Sequence, residues 1–261
     1  MEIQIKKTVK AGNSSAVVLP RSWLNKEVRV ELVEKTPEII LIDTLEIIKK
    51  HLELKEIIGI YLVGSHARNE ENENSDIDIL VISENISLET INEGIYSITI
   101  ISKDLLKQKL DHDLFPIGMM IKEAKPLLNE NYLKSIEIKI TKNNLKWYLD
   151  TTKDKLELIE KAIEISKKRN INNLSDKIAY TLILRIRTLY IIRKLIENQK
   201  YSNKDFLNKI STVSGGINPY NRYLAMKNNS EDKKMLDINE SERLYKYLNN
   251  ELSNIKKLLN S

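Results

Sequence analysis

The chain has 261 residues, no cysteine, and 42 Lys and Arg against 37 Asp and Glu, a formal charge of +5. The absent thiols exclude disulfide frameworks and thiolate metal sites, and no apolar run approaches the ~20 residues of a membrane helix. Charge is uneven: residues 1–36 hold 7 basic and 4 acidic residues, residues 37–140 hold 11 and 19, and residues 141–261 hold 24 and 14. An acidic middle between basic ends suits a metal-binding centre with arms that attract a polyanion, and equally suits solvated helix faces.

The start, MEIQIKKTVK, alternates and has no signal-peptide core, so a cytoplasmic protein without membrane contact is expected. Strand-like IQIKKTV is followed by the turn signal KAGNSS, then AVVL, then PRSWL with Pro at a helix start, and VRVELV as a last strand. Fewer than ~40 residues seldom bury enough surface to fold alone, so this module needs a second chain or the rest of the protein. A homodimer through residues 1–36 is the expectation, with Val17, Val18, Leu19 and Trp23 among the buried contacts. Gly12, Asn13, Ser14, Ala16, Val17, Leu19 and Pro20 resemble the GNS-x-AV-x-LP stretch of the AbrB/SpoVT family of swapped-hairpin DNA-binding domains. The resemblance implies an intertwined dimer whose basic face binds DNA, with Lys6, Lys7, Lys10 and Arg21 as candidates by position; dimerisation without DNA affinity is the alternative.

IDTLEIIKKHLELK, residues 42–55, has apolar residues at helical spacing. Residues 59–83, GIYLVGSHARNEENENSDIDILVIS, then place a Gly-Ser turn after one apolar run and two aspartates at the start of the next. Alternation along a strand puts Asp76 and Asp78 on one face and Ile77 and Ile79 on the other. Two carboxylates that close call for a cation between them, and oxygen-seeking Mg²⁺ suits a carboxylate pair completed by substrate phosphates. Gly64 and Ser65 can offer backbone N–H groups and a hydroxyl to those phosphates. ENISLETINEG reads as a polar turn, IYSITIIS as a third strand, and KDLLKQKL and IGMMIKEAKPLL as helices.

Beyond about residue 130 the chain reads as helical. LKWYLDTTKDKLELIEKAIEISKK is amphipathic, while SDKIAYTLILRIRTLYIIRKLIEN is apolar nearly all round, as a central bundle helix is, with Ser175 or Asp176 as its N-cap. NKDFLNKIS and ESERLYKYLNNELSNIKKLL add two more helices, separated by a Gly/Asn/Pro-containing connection at 214–221. Tyr180, Arg187, Tyr190 and Lys194 fall on one face of the central helix. A buried arginine must be paired, so Arg185 and Arg187 either meet acidic neighbours or face a cleft that takes a nucleotide or nucleic acid.

Gly64, Ser65, Ala67, Arg68, Asp76 and Asp78, with strands on both sides, resemble the minimal nucleotidyltransferases of the DNA polymerase β superfamily. The resemblance implies that Gly64 and Ser65 hold the triphosphate, that Arg68 braces the loop or touches substrate, and that Asp76 and Asp78 bind Mg²⁺ or Mn²⁺ and are catalytic. The implied activity is transfer of a nucleoside monophosphate from a metal-bound NTP, expected to be ATP, to a hydroxyl of a protein, an RNA or a small molecule. Two positions depart from the pattern: Asn69 replaces a glycine, and Ser97 stands where the family places its third carboxylate. Neither Ser97 nor Thr99 can act as a carboxylate base, and Glu93 is the nearest substitute in sequence. The alternative is a nucleotide-sensing DNA-binding regulator or an antitoxin-like partner without transferase activity. The tail resembles the HEPN-like helical domains that accompany these transferases, but His51, His66 and His112 all precede it, which excludes an Arg-(x)4–6-His ribonuclease motif. His66 reads as a loop residue near phosphate and His112 as part of a surface turn.

The expected architecture is therefore multidomain α/β (α+β). It comprises a swapped-hairpin module over 1–38, a transferase core with a mixed sheet over 39–129, and a helical bundle over 130–261.

Overall fold

The computed structural model describes residues 4–6, 8–32, 35–72, 75–227 and 235–260. The chain divides into two compact units, one of Met1–Leu110 with Phe115–Ile138, the other of Asp111–Leu114 with Lys139–Ser261. Lys7, a candidate DNA contact, lies outside the described residues.

The first unit opens with a small antiparallel hairpin, β1 (Val9–Ala11) and β2 (Ser14–Ala16), turned by Gly12 in the left-handed region. The expected last strand of this segment is irregular over residues 26–32, and Val18, Leu24, Val30 and Leu32 are exposed. Val17, Leu19 and Trp23 are half-buried. Apolar side chains left in solvent give such a segment too little buried surface to hold further strand pairing. Ile5, by contrast, is buried in the core of the unit and its carbonyl closes over Gly94.

Helix α1 (Pro37–Ile48) starts at the Thr36 cap with proline in its first turn. A mixed sheet follows, built from β3 (Ile57–Val63), β4 (Ile77–Ser83), β5 (Leu88–Glu93), β6 (Tyr96–Ser102) and β7 (Lys125–Leu128) in the order β5-β6-β4-β3-β7. β4 and β6 are parallel and the other pairs antiparallel. Ile77, Ile79 and Val81 share one face with Ile60, Leu62, Ile98 and Ile100 and pack on Ile40, Ile47 and Ile48 of α1, where Tyr96 donates to Asp43 at 2.7 Å. The opposite face therefore carries Asp78 and Ser97 at its edge. Short α2 (Gly64–Arg68) joins β3 to β4, α3 (Lys103–His112) and α4 (Ile117–Glu123) come between β6 and β7 in the chain, and α5 (Glu130–Ser135) follows β7.

Two readings of this region change. The supposed polar turn is edge strand β5, which can be polar because one of its sides lacks a neighbouring strand. The supposed helix IGMMIKEAKPLL ends at Glu123, and KPLL becomes β7; Pro126 cannot continue a helix but is tolerated in an edge strand.

In the second unit α6 (Lys142–Lys168) begins at a Thr141–Asn144 capping box, and a two-residue strand pair forms from β8 (Asn173–Leu174) and β9 (Leu236–Asp237). Ser175 caps the central helix α7 (Asp176–Ile196). α8 (Asn203–Ser214), α9 (Asn218–Lys227) and α10 (Ile238–Leu258) complete the bundle, with α7 packed on α9 and α10. The connection read over 214–221 is a Gly215 stop followed by a further helix, because Pro219 stands in the first turn, where its missing N–H costs nothing.

Candidate active site

The β3–α2 junction is a glycine position for two separate reasons. Gly64 has φ +69°, and a Cβ placed there would lie 2.1 Å from the Asp78 Oδ2 atom. The turn thus sits directly against the first residues of β4, where Val63 pairs with Asp78. Asp76 is exposed at the mouth of the strand and Asp78 is half-buried on the same face. Gly64 and Asp78 are thus in contact, Ser65 follows in the turn, and Asp76 lies near enough to act on the Asp78 charge.

Burial pushes the Asp78 carboxyl above its usual range, and the charges of Asp76 and Glu123 push it further, while Arg68 and His66 oppose them. A carboxylate that is costly to ionise beside two others is a site that gains from a cation. Among the described residues no group of three or more His, Cys, Asp or Glu side chains is placed to hold a metal by itself. Two hard-oxygen donors at an open strand end fit Mg²⁺, which keeps water and phosphate oxygens in its shell, better than a metal that needs an all-protein cage.

Arg68 is held rather than presented. Its Nη1 donates to Glu123 Oε2 at 2.5 Å and its Nε to Glu70 Oε2 at 3.0 Å, while Glu123 Oε1 accepts the Gly64 N–H at 2.7 Å. Burial alone lowers the guanidinium pKa, and the Glu123 and Glu70 carboxylates carry it above its ordinary value. One carboxylate at the end of α4 therefore ties both ends of α2, and it is the site residue that sequence reasoning missed. Its signal was indirect: an arginine in the loop required a carboxylate partner from somewhere.

The remaining candidates sort clearly. Asn69 takes the left-handed conformation that a glycine would otherwise supply and accepts from Lys125 at 2.6 Å, so this departure is accommodated. Ser97 is the direct neighbour of Asp78 across the parallel pair. Glu93 pairs with Tyr96, on the face opposite Asp78, and binds Lys50 at 2.6 Å, so it does not replace the third carboxylate. His66 is buried, with an Nε2 that has no hydrogen-bond partner among the described residues, and it lies near enough to Asp78 to act on its charge. His112 is exposed at the end of α3 beside Asn143. Lys6, Lys10 and Arg21 are exposed.

In the second unit Arg185 forms no ion pair among the described residues: it donates to the Thr151 hydroxyl at 3.0 Å, and its guanidinium carbon stands 5.9 Å from the Trp147 ring centroid. Tyr180, Arg187, Tyr190 and Lys194 are joined by aromatic contacts. Tyr180 stacks on Tyr223, Arg187 stands over Tyr201, Tyr190 packs on Tyr201 and Phe206, and Lys194 lies over Tyr190 while donating to Gln199.

Several solved structures resemble this chain, among them two nucleotidyltransferase-type proteins. A nucleotidyltransferase-like protein from Exiguobacterium sibiricum is 12% identical, covering 83% of this chain and 73% of its own, with a TM-score of 0.36. Spectinomycin adenyltransferase AAD(9) from Enterococcus faecialis, solved with ATP and spectinomycin, is 15% identical over 82% of this chain and 98% of its own, with a TM-score of 0.41. No curated protein matches the sequence. The nucleotidyltransferase domain family, however, matches residues 42–207, a span that contains the Gly-Ser turn, both aspartates and Glu123; the chain belongs to that family.

Proposed function

We propose that the protein transfers a nucleoside monophosphate from an NTP, with ATP as the expected donor, to an acceptor hydroxyl. The observation that carries this reading is the packing of Gly64 against Asp78, which puts a phosphate-binding turn and a two-carboxylate site within one contact of each other. Ser65 would offer its hydroxyl and N–H to the triphosphate. Asp76 and Asp78 would hold Mg²⁺, which supplies charge neutralisation and alignment for an in-line displacement. The acceptor oxygen forms a bond to the α-phosphorus, the bond from that phosphorus to the bridging oxygen breaks, pyrophosphate leaves, and the acceptor proton passes to water or a nearby base. Arg68 is a positioning residue here, because its donors already serve Glu123 and Glu70.

No helix of the described residues is long and apolar enough to cross a membrane, in keeping with soluble substrates. The exposed apolar residues between Val18 and Leu32 support a homodimer through residues 1–36, and Lys6, Lys10 and Arg21 support a DNA contact on that dimer. Light scattering on the full chain and on a version lacking residues 1–36 tests the dimer; equal mass per particle would reject it.

A second reading, a regulator or antitoxin-like partner that binds nucleotide without transferring it, is favoured by Ser97 alone. Incubation with Mg²⁺, cell extract and ATP labelled at either the α or the γ phosphate separates the two. Transfer leaves α label on an acceptor and no γ label, and the Asp76→Asn, Asp78→Asn double variant leaves neither. Mg²⁺-dependent ATP binding with no α label on any acceptor would favour the regulator.

A further inference from the structure

Arg187 sits among aromatic rings in the bundle, and the groups around it are unusual for a cation drawn out of water. Its guanidinium carbon is 5.4 Å from the Tyr201 ring centroid, and Tyr223 lies beside it. The groups acting on its charge include Tyr201, Tyr223 and Tyr220, and among the described residues no carboxylate forms an ion pair with it. Asp176, at the start of the same helix, is within 3.6 Å of Arg222 instead. Buried Tyr201, Tyr223, Tyr190 and Phe206 form the inner wall, and half-buried Tyr180 and Tyr220 stand towards solvent. Tyr180 stacks on Tyr223 at 5.3 Å and Tyr220 packs on Tyr223 at 5.6 Å, so both outer rings abut the tyrosine beside Arg187.

Neutral partners do not cancel a whole charge. A cation–π contact contributes about 0.5–2 kcal/mol, and an unpaired charge away from water costs several. Burial lowers the Arg187 guanidinium pKa, and the surrounding tyrosines more than restore it, so the group stays a cation at every ordinary pH. Arg187 is half-buried, so part of its side chain reaches solvent. The guanidinium fork presents donors only, in the planar geometry that matches a carboxylate or a phosphate, and tyrosine hydroxyls at its rim can donate as well.

From these contacts we infer that the Arg187–tyrosine cluster is a binding site for a small oxyanion, a carboxylate or a phosphate monoester, whose attached planar group packs on the Tyr180 and Tyr220 rings. The site is separate from the Gly64–Asp78 site and its existence does not rest on nucleotidyl transfer.

Phenyl phosphate and benzoate, titrated calorimetrically into the full chain, test the inference, with benzylamine as the cationic control. Saturable binding of one anion per chain is expected, with no binding of benzylamine. Arg187→Gln should weaken it by about tenfold or more, equal to about 1.4 kcal/mol. Tyr220→Phe, which keeps the ring and removes an outer hydroxyl, should weaken it less and leaves a usable variant if Arg187→Gln does not fold. The Asp76→Asn, Asp78→Asn double variant should bind both anions as the parent does, which keeps a failed transferase reading from being mistaken for a failed anion site. Absence of saturable binding by either anion, or binding unchanged in both cluster variants, would overturn the proposal.

Discussion

Arg68 and Arg187 are both drawn out of bulk water, one in each unit, and the protein satisfies them in opposite ways. Arg68 is closed off by two carboxylates within 3.0 Å, and one of these also holds a backbone N–H of the nucleotide turn. Arg187 stands over the Tyr201 ring beside Tyr220 and Tyr223, with no ion pair to a carboxylate among the described residues. The same side chain is thus structural where its charge is cancelled and receptive where it is not. An arginine motif in sequence therefore says little about contact with substrate until its carboxylates are found.

The largest effect should come from breaking the closed pair. Arg68 and Glu123 side chains are 16% and 9% exposed, so removing one leaves the other charge poorly hydrated. Loss of one member of a buried pair costs about 3–5 kcal/mol, and Arg68→Met should lower unfolding free energy by about 3 kcal/mol. Urea denaturation of Arg68→Met, Glu123→Met and the double variant is the measurement. The double variant should cost clearly less than the sum, and simple additivity would show that the pair is not the unit of stability.

Next in size is Ser97→Asp. Neighbouring strands lie about 4.8 Å apart, and Ser97 is the register partner of Asp78, so the new carboxylate would join Asp76 and Asp78 on one face. General-base groups contribute roughly 10²–10⁴-fold, and a rise of about tenfold or more in α-label transfer with Mg²⁺ is expected if the missing group limits the reaction. The metal-free variant should be less stable than the parent, since a third like charge is added. Unchanged or lower transfer would mean that another base already serves.

These two predictions differ in how readable their residues were. Gly64, Ser65, Asp76 and Asp78 were legible because one strand–turn–strand unit fixes them, and alternation alone assigns the aspartates to a face. Glu123 was not legible, since it comes from 55 residues beyond Arg68 and looks like any acid near a helix end. Glu93 misled for the same reason: sequence proximity to Ser97 says nothing of the face, and the β5–β6 register turns it away. The edge strands β5 and β7 were hidden by the polar residues and the proline that edges tolerate, whereas the central strands and the long helices α6, α7 and α10 showed in their apolar periods. The tyrosines Tyr201, Tyr220 and Tyr223 come from chain beyond α7, so the face of Arg187 was readable but its surroundings were not.

A smaller and pH-dependent effect is expected at Asp78. Its folded pKa is raised by burial, then by Asp76 and Glu123, so ionisation is harder in the folded protein than in the unfolded chain. The stability contribution of such a carboxyl is fully present below the ordinary value of 3.8 and is lost as pH rises through the folded value. Asp78→Asn in EDTA should therefore melt close to the parent at about pH 3 and above it at pH 7. A variant that melts below the parent at pH 7 would mean that the ionised carboxylate is stabilised by contacts outweighing its neighbours. In calorimetry the same variant should lose Mg²⁺-dependent ATP binding.

The smallest effect should come from Arg187→Met, and it tests the comparison most directly. Methionine keeps much of the apolar stem that packs among Tyr201, Tyr220 and Tyr223 and removes a charge that no carboxylate among the described residues pairs with. What is lost is a cation–π contact and the interaction with neighbouring Tyr223; what is regained is the cost of holding a half-buried cation with no acidic partner among the described residues. The two nearly cancel, so the unfolding free energy should change by no more than about 1 kcal/mol, against about 3 kcal/mol for Arg68→Met under the same conditions. Adding phenyl phosphate should then separate the proteins further, because a ligand that binds only the folded form raises its melting temperature. The parent and Arg68→Met should both gain stability from the anion while Arg187→Met gains none. If Arg187→Met were instead as damaging as Arg68→Met and the anion stabilised neither parent nor variant, the tyrosines would be a complete partner set, and the two arginines would differ only in what encloses them.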